Sequence, residues 1–226
     1  VIEAKRRQIK TMGIINSVGS TIAREVDHGG IYLHAGTEVS VASTKAYSSM
    51  VSALLMFGGY LAYHRGANSA TVRQLATELR ALPAEIEQAL QQKPLIDKIA
   101  AKTKQFHDMY YLGRNELYPV ALEGALKIME VAYVHAQAYP SGEMKHGPIA
   151  LISPQHLSVL LLPEDQQLYE KGLSALQEIK ARSGVVLTLS TRPREAGADY
   201  HVQIAHVGSF VDGLIYNVYL QLFALA

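Results

Sequence analysis

Three charged residues, Glu123, Lys127 and Glu130, lie four and then three positions apart in the stretch ALEGALKIME. In an α-helix these positions share one face, so two carboxylates flank one ammonium group. A positioned carboxylate whose pKa is raised by burial suits proton transfer beside a carbonyl group. A solvated stripe with an ordinary ion pair, contributing a few tenths of a kcal/mol, explains the same spacing.

A second group of ionisable residues follows in the segment GEMKHGP, residues 142–148. Glu143, Lys145 and His146 lie there among glycine and proline residues, which permit sharp turns. Histidine titrates near neutral pH and therefore exchanges protons without a metal ion. Charged groups in a tight turn next to a charged helix favour a catalytic site over a solvated stripe.

The turn before the charged helix has the composition of an anion-binding site. An apolar strand end at residues 109–112 leads into Gly113 and Arg114, and Pro119 marks the predicted start of the helix. Backbone amides at a helix start point toward whatever lies over the turn. We therefore expect Gly113 and Arg114 to contact an anionic group.

Another candidate segment is the start of a helix predicted over residues 43–63. In one interpretation Ser43 or Thr44 caps this helix and Lys45 is a solvated charge. However, a cation in the first turn opposes the helix dipole. The second interpretation therefore places an anion or a partner carboxylate beside Lys45 or the free amides.

The elements that must position these residues alternate between strands and helices. Apolar runs predict strands at residues 13–16, 31–33, 109–112, 157–162, 184–189 and 200–204. Helical spacing predicts helices at residues 1–12, 43–63, 75–90 with a break permitted at Pro83, from Pro94, from Pro119, 164–182 and from Phe210. We therefore predict an α/β fold of doubly wound parallel sheets, with ligands at the carboxyl ends of the strands.

The predicted helix after Pro119 also carries an apolar stripe. Leu122, Ala125, Leu126 and Met129 recur at helical spacing, on a face separate from the charged residues.

The two halves of the chain repeat one pattern. The strand at 13–16, Asp27 and His34 have counterparts 172 positions later in the strand at 185–189, Asp199 and His206. A fixed spacing is typical of a repeated unit. Because the composition becomes polar around residues 88–93, we predict two domains: residues 1–90 as an incomplete first copy and residues 91–226 as a complete second copy.

The composition excludes several classes of function. The 21 basic and 20 acidic side chains among 226 residues leave no global field for nucleic acid or an anionic membrane surface. The chain has no cysteine, and its nine histidines lack the paired spacing of a zinc site. It also lacks an apolar run long enough to span a bilayer and the apolar core of a signal peptide. We expect a cytoplasmic protein without a metal, a membrane partner or a nucleic-acid partner.

Together these segments resemble the isomerase region of the glutamine:fructose-6-phosphate amidotransferases. The resemblance rests on LGR at 112–114, ALEGALK at 121–127, Glu130, His135 and GEMKHGP at 142–148. The block AGTEVSVASTKAY at 35–47 matches the other signature of this family in register. Two long blocks in the right order make the resemblance specific, which a lone KHGP would not.

The resemblance implies a fold of two sugar isomerase (SIS) domains with flavodoxin-like αβα layers. It implies an enzyme that converts fructose 6-phosphate and ammonia from glutamine into glucosamine 6-phosphate without a cofactor. Glu130 would then move the proton between C1 and C2, supported by Lys127 and Glu123. His146 matches the ring-opening histidine, which the family contributes to the neighbouring subunit's site. This implies a homodimer.

The resemblance also implies substrate-binding residues and missing parts. In the family the positions of Val41 and Ser43 lie at the sugar-phosphate pocket, and we assign Thr44, Gly113 and Arg114 to substrate binding as well. The family's serine-rich phosphate loop, its glutaminase domain and its C-terminal tail with the Schiff-base lysine have no match in this sequence. We therefore interpret the chain as an isomerase fragment that is inactive alone, with a glutaminase domain in the full-length enzyme.

Two alternatives of the same fold stay open at this point. One is another phosphosugar isomerase or deglycase, and the other is a regulator that binds a sugar phosphate without catalysis. Glu130 together with His146 argues against the regulator.

Overall fold

The computed structural model describes residues 1–194 and 197–226, which form parallel strands connected by helices. In these ranges the strands are β1 Met12–Ile15, β2 His28–Tyr32, β3 Asp108–Gly113, β4 His135–Pro140, β5 Leu157–Leu162, β6 Val185–Ser190 and β7 Tyr200–Gln203. The α-helices are α1 Ile2–Arg6, α2 Thr21–Glu25, α3 Lys45–His64, α4 Ser69–Gln91, α5 Lys93–Thr103, α6 Leu117–Ala132, α7 Gln166–Lys180 and α8 Asp212–Leu225. Two 3-10 turns, Met144–His146 and Pro148–Leu151, connect β4 to β5.

The chain divides into two units, Val1–Leu79 and Arg80–Ala226, and the division falls within α4. In the first unit, β1 and β2 pair in parallel, with α2 between them in the chain. The helix α3 follows them. The division between residues 90 and 91, predicted from composition, stays a prediction.

The second unit is built on a five-stranded parallel sheet in the order β4–β3–β5–β6–β7. This is the flavodoxin-like order, in which the chain starts in the interior of the sheet and reverses direction beside the first strand. The strand β5 is buried along its whole length, which explains its unbroken apolar sequence LSVLLL. The α/β fold with parallel sheets, predicted from the sequence, is confirmed.

The parallel register brings the candidate segments of the second unit to one edge of the sheet. Gly113 at the end of β3 lies opposite Pro140 at the end of β4. The amide of Ser141 then donates to the carbonyl of Gly113 at 2.8 Å. The turns that follow β3 and β4 are therefore neighbours at the carboxyl edge, where open parallel sheets bind ligands.

The repeated pattern has a common structural role in the two units. Asp27 follows β1, and its Oδ2 accepts the amide of Thr11 at 2.9 Å. Asp199 follows β6, and its Oδ2 accepts the amide of Val186 at 2.8 Å. Each aspartate thus ties the next segment of its unit to the beginning of the preceding strand.

Several elements differ from the prediction, including α1, which ends at Arg6, and α2, which was not predicted. The helix α4 passes through Pro83 without a break; because Pro83 is exposed, water can bond the carbonyl that it leaves without a donor. The strand β4 was not predicted, since only the small residues Ala136 and Ala138 mark its buried face. The helix α6 begins at Leu117 rather than Pro119. No helix within the described ranges is long and apolar enough to cross a membrane.

Candidate functional site

The charged residues of α6 form a compact ion group. The Nζ atom of Lys127 lies 2.6 Å from Oε2 of Glu130 and 3.3 Å from Oε1 of Glu123. The exposed fractions of these side chains are 3% for Lys127, 24% for Glu130 and 11% for Glu123. These low exposed fractions do not fit the interpretation of the three residues as a solvated stripe. We call Glu123, Lys127 and Glu130 the α6 ion group.

The electrostatics of the α6 ion group differ between its members. Burial raises the pKa of Glu123, and the positive charge of Lys127 opposes this only in part. Burial lowers the pKa of Lys127, but the hydrogen bond to Glu130 and the charge of Glu123 outweigh burial and leave that pKa raised. Lys127 is therefore held as a cation between its partners, while Glu123 has the environment of a carboxyl group that takes up a proton easily.

The apolar stripe predicted for this helix is mostly on the outside. Leu122, Leu126 and Met129 are exposed, and only Ala125 of the predicted stripe is buried. The helical spacing of these apolar residues therefore does not show which face of α6 is buried.

The buried face of α6 is lined by small residues that let the helix approach its neighbours. A Cβ atom on Gly124 would lie 2.5 Å from Leu220 of α8 and 3.0 Å from the ring of Tyr111 of β3. These close contacts determine which face of α6 is buried, and Lys127 lies on that face. A buried lysine is tolerated there because both carboxylates pair with it.

Two backbone amides at the start of α6 are paired within the turn after β3. The amide of Leu117 donates to the carbonyl of Arg114, and the amide of Tyr118 donates to the carbonyl of Asn115, each at 3.1 Å. The next residue, Pro119, has no N–H group. The start of α6 therefore offers an anion no free amide at these three positions, and our expectation that the backbone of this turn binds an anion stays a prediction.

Gly113 is required by close packing, since a side chain there would collide with the carbonyl group of Leu117. Arg114, by contrast, has a side-chain nitrogen without a hydrogen-bond partner among the described residues. Its Nε atom is buried and makes no hydrogen bond within the described part of the chain. Its guanidinium group lies against Gly142, where a Cβ atom would be 3.1 Å from Nη2. The turn after β3 thus offers a cation beside the turn after β4.

The segment 142–148 is fixed at its two sides. Met144 is fully buried in the core, and the carbonyl of Pro148 accepts the hydroxyl of Tyr110 at 3.1 Å. The side chain of Lys145 reaches Glu178 of α7, with 2.6 Å between Nζ and Oε1. His146 itself is exposed, and no hydrogen bond or ion pair joins its ring to the rest of the described chain. The structure does not bring His146 into contact with the α6 ion group.

In the first unit, a carboxylate occupies the start of α3. Oε1 of Glu38 accepts the amide of Thr44 at 2.6 Å and the amide of Ala46 at 3.3 Å. Burial raises the pKa of Glu38, but these bonds and a hydrogen bond from the Ser43 hydroxyl outweigh it and leave the pKa lowered. Lys45 donates to the carbonyl of Thr37 at 3.0 Å. Of the two interpretations of this helix start, the one with a partner carboxylate is confirmed.

The predicted ligands of the first unit therefore have different environments. Val41 is 86% exposed, and the side chain of Thr44 makes no capping bond. Ser43 is half-buried and bonded to Glu38. Their contact with a substrate stays a prediction.

Sequence reasoning missed two residues that shape these segments, Glu38 and Glu178. Glu38 lies six positions before the amide of Thr44 that it binds, so its only signal was an acidic residue upstream of a helix start. Glu178 lies on a helix with no visible chemistry, and nothing in the sequence connects it with Lys145. No group of three or more histidine, aspartate or glutamate residues in the described ranges is arranged to hold a metal ion.

A comparison with models of protein families matches the chain to the SIS domain over residues 1–58 and 104–226. The match includes α3 as far as residue 58, the α6 ion group and the segment 142–148.

Curated relatives and solved structures carry more specific names. The chain is 46% identical over 194 residues to the glutamine–fructose-6-phosphate aminotransferase [isomerizing] of Thermus thermophilus, covering 85% of this chain and 32% of the relative. It is 42% identical over 228 residues to the protein of the same name from Bacteroides thetaiotaomicron, covering 98% of this chain and 36% of the relative. The chain thus spans about a third of the length of these relatives.

Among solved structures, the C-terminal domain of glucosamine-fructose-6-phosphate aminotransferase from Francisella tularensis superimposes with a TM-score of 0.91. The identity is 32%, and the match covers 99% of this chain and 64% of that one.

Proposed function

The chain belongs to the SIS domain family, and from this premise we propose that it performs the isomerase reaction of an enzyme making glucosamine 6-phosphate from fructose 6-phosphate and ammonia. Relatives at 46% and 42% identity carry the name of that aminotransferase, which supports the proposal. We also propose that a glutaminase domain supplies the ammonia in the complete protein.

The observation that carries this proposal is the α6 ion group. An isomerase that converts a ketose into an aldose takes a proton from C1 and returns it to C2, which a single positioned carboxylate can do. Glu130 is the base in this proposal. It is the most exposed member of the group, with 24% of its side chain accessible, and Lys127 holds one of its oxygens at 2.6 Å.

The other two members have supporting roles. Lys127 keeps a positive charge beside the negative charge that develops on the sugar oxygen when the C1 proton leaves. Glu123 balances that cation from the other side at 3.3 Å and fixes its position. These two roles explain why Lys127 is almost completely buried on this helix face.

We propose substrate-binding residues in each unit separately. Gly113 and Arg114 belong to the second unit, where the guanidinium group of Arg114, whose Nε atom makes no hydrogen bond to the described residues, provides a charge for a phosphate or sugar oxygen. Val41, Ser43 and Thr44 are the sugar-phosphate ligands of the first unit.

His146 opens the sugar ring in the site of a neighbouring subunit, so that the active protein is a homodimer. His146 is exposed, and its ring has no hydrogen-bond or ion-pair partner among the described residues, which supports this assignment. We place residues 1–90 in the first SIS domain of the subunit and residues 91–226 in the second. We also propose a cytoplasmic location, because a charged sugar phosphate does not cross a bilayer unaided.

The test is exchange of the C1 hydrogen of fructose 6-phosphate with solvent, measured by NMR in the complete protein. Glu130→Gln should abolish the exchange and change the affinity for the sugar phosphate by no more than about threefold. Glu170→Gln on the exposed face of α7 is the matched control and should exchange like the wild type.

Two results would contradict the proposal. Normal exchange of the C1 hydrogen in Glu130→Gln would show that Glu130 is not the base. Tight binding of fructose 6-phosphate by the wild type without any exchange indicates a sugar-phosphate regulator instead.

A further inference from the structure

Lys145 and Glu178 form an ion pair next to the proposed ring-opening histidine. The Nζ atom of Lys145 lies 2.6 Å from Oε1 of Glu178, and the exposed fractions of the two side chains are 60% and 26%. The second oxygen of Glu178, Oε2, is buried and makes no hydrogen bond within the described part of the chain. Lys145 is therefore the cation that this half-buried carboxylate faces.

The pair holds the middle of a short turn. Met144 is fixed by the core on one side, and Pro148 is fixed by the hydroxyl of Tyr110 at 3.1 Å on the other. Between them, Gly147 has a φ of 142°, which residues with a side chain rarely adopt. This conformation favours glycine, and the fixed points on either side of it limit where His146 projects.

We propose that Glu178 of α7 is a positioning residue for His146, acting through Lys145. The expected effect on catalysis rests on the proposed function, whereas the restraint of the turn follows from the ion pair alone. The elements involved come from separate parts of the second unit: the turn follows β4 in the chain, whereas Glu178 is near the end of α7. The helix α7 thereby determines the orientation of a residue that no side chain of its own turn restrains.

Glu178→Gln keeps the size of the side chain and removes its charge. The tether of Lys145 is then weakened, and His146 samples more orientations. A displacement of about 1 Å in a catalytic group can lower turnover by about 100-fold. Because His146 stays in place in the sequence, we expect a partial loss, with kcat reduced about tenfold and KM changed by less than about twofold.

The kinetic experiment uses the complete protein with fructose 6-phosphate. Lys145→Gln breaks the same ion pair by changing its more exposed residue. It should give the same partial loss of kcat as Glu178→Gln, and it tests the pair even if Glu178→Gln affects folding. The exchanged pair, Lys145→Glu with Glu178→Lys, should recover most of kcat, whereas Lys145→Glu alone should not. Asp97→Asn, which breaks the exposed Lys93–Asp97 pair of α5 at 2.5 Å, is the control and should leave kcat unchanged.

A second readout does not depend on activity. The ring carbon–proton signal of His146 in an NMR spectrum of the 226-residue chain should shift and sharpen in Glu178→Gln, because a released side chain moves faster. An unchanged signal overturns the positioning role whatever the kinetics show. If the signal changes but His146→Ala retains full turnover, the ion pair anchors the turn and the proposed role of His146 fails instead.

Discussion

The ammonium group of Lys127 lies 2.6 Å from the Glu130 carboxylate and is buried on the inner face of α6. A charge in this position is stable only because two carboxylates compensate it, so each member depends on the others. The pair links the stability of the second unit to the chemistry proposed for it, since the base and the cation that orients it occupy one helix face.

Lys127→Met should destabilise the chain by about 3 kcal/mol at pH 8, because the variant leaves the buried Glu123 without its cation. The pKa of Glu123 is already raised in the folded state. Its contribution to stability is therefore present below its unfolded pKa and is lost as the pH rises through the folded pKa. The defect should accordingly be smaller at pH 4 than at pH 8, as measured by urea unfolding at both pH values.

The control for this variant is Lys93→Met, which removes the cation of an exposed i, i+4 pair. We expect a change of no more than about 0.5 kcal/mol at either pH. Equal losses in the two lysine variants would contradict the special role of the α6 ion group.

Mixing two inactive variants tests the shared site. If His146 serves the neighbouring subunit, then His146→Ala and Glu130→Gln should be inactive separately and active after subunit exchange. Random pairing makes about half of the dimers mixed, and each mixed dimer contains one site with both residues intact. Activity should therefore return to about a quarter of the wild-type value, as measured with the complete protein.

Mass spectrometry of the mixture provides the control, because it shows whether mixed dimers have formed. If they have formed and the mixture is as inactive as its parents, His146 serves its own chain and the shared site is excluded.

His156→Phe should stabilise the chain, and more so in acid. Both ring nitrogens of His156 are buried without a hydrogen bond within the described residues, and the ring packs edge-on against Tyr110 at 4.2 Å. Burial lowers the pKa of His156; Asp108 opposes this and His135 adds to it. The stability that depends on neutral His156 is thus present above the unfolded pKa and is lost as the pH falls through the folded pKa.

Phenylalanine keeps the ring contact with Tyr110 and does not titrate. We expect a gain of about 1 kcal/mol at pH 7 from removing the unpaired nitrogens, and a larger gain at pH 5. Urea unfolding at both pH values measures the difference, with the exposed His107→Phe as the matched control. A gain that is the same at both pH values would show that His156 does not titrate on unfolding.

Glu38→Ala should loosen the start of α3. The carboxylate accepts the amides of Thr44 and Ala46, and losing a helix cap costs about 1 kcal/mol. Hydrogen exchange of these two amides should become about fivefold faster. Because the folded pKa of Glu38 is lowered, the same acceleration should appear in the wild type as the pH falls below the unfolded pKa, after correction for intrinsic exchange.

Removing a different cap provides the control for Glu38. Asp165 caps α7 through the amide of Leu168 at 2.9 Å. Asp165→Ala should leave the exchange of Thr44 and Ala46 unchanged. If it accelerates them as much as Glu38→Ala does, the effect is a general loss of stability.

The strongly patterned elements were predictable from the sequence. The run at Leu157–Leu162 was predicted with its observed bounds, because an apolar stretch of this length between turns is typical of a buried strand. The 172-residue repeat pointed to Asp27 and Asp199, each of which accepts a backbone amide near the start of a strand of its unit. Weakly patterned elements such as β4 were missed, because their stability comes from pairing with β3 rather than from their own residues.

The sequence by itself determined that Glu123, Lys127 and Glu130 share a helix face, because helical geometry depends only on spacing. Only the tertiary structure decided that this face is the buried one and that Leu122 and Leu126 are exposed. Burial of a helix face is determined by the elements packed against it, here β3 and α8, the latter about 90 positions further along the chain. Likewise, the pairing of Lys145 with Glu178 depends on how α7 packs on the sheet, which no local pattern records.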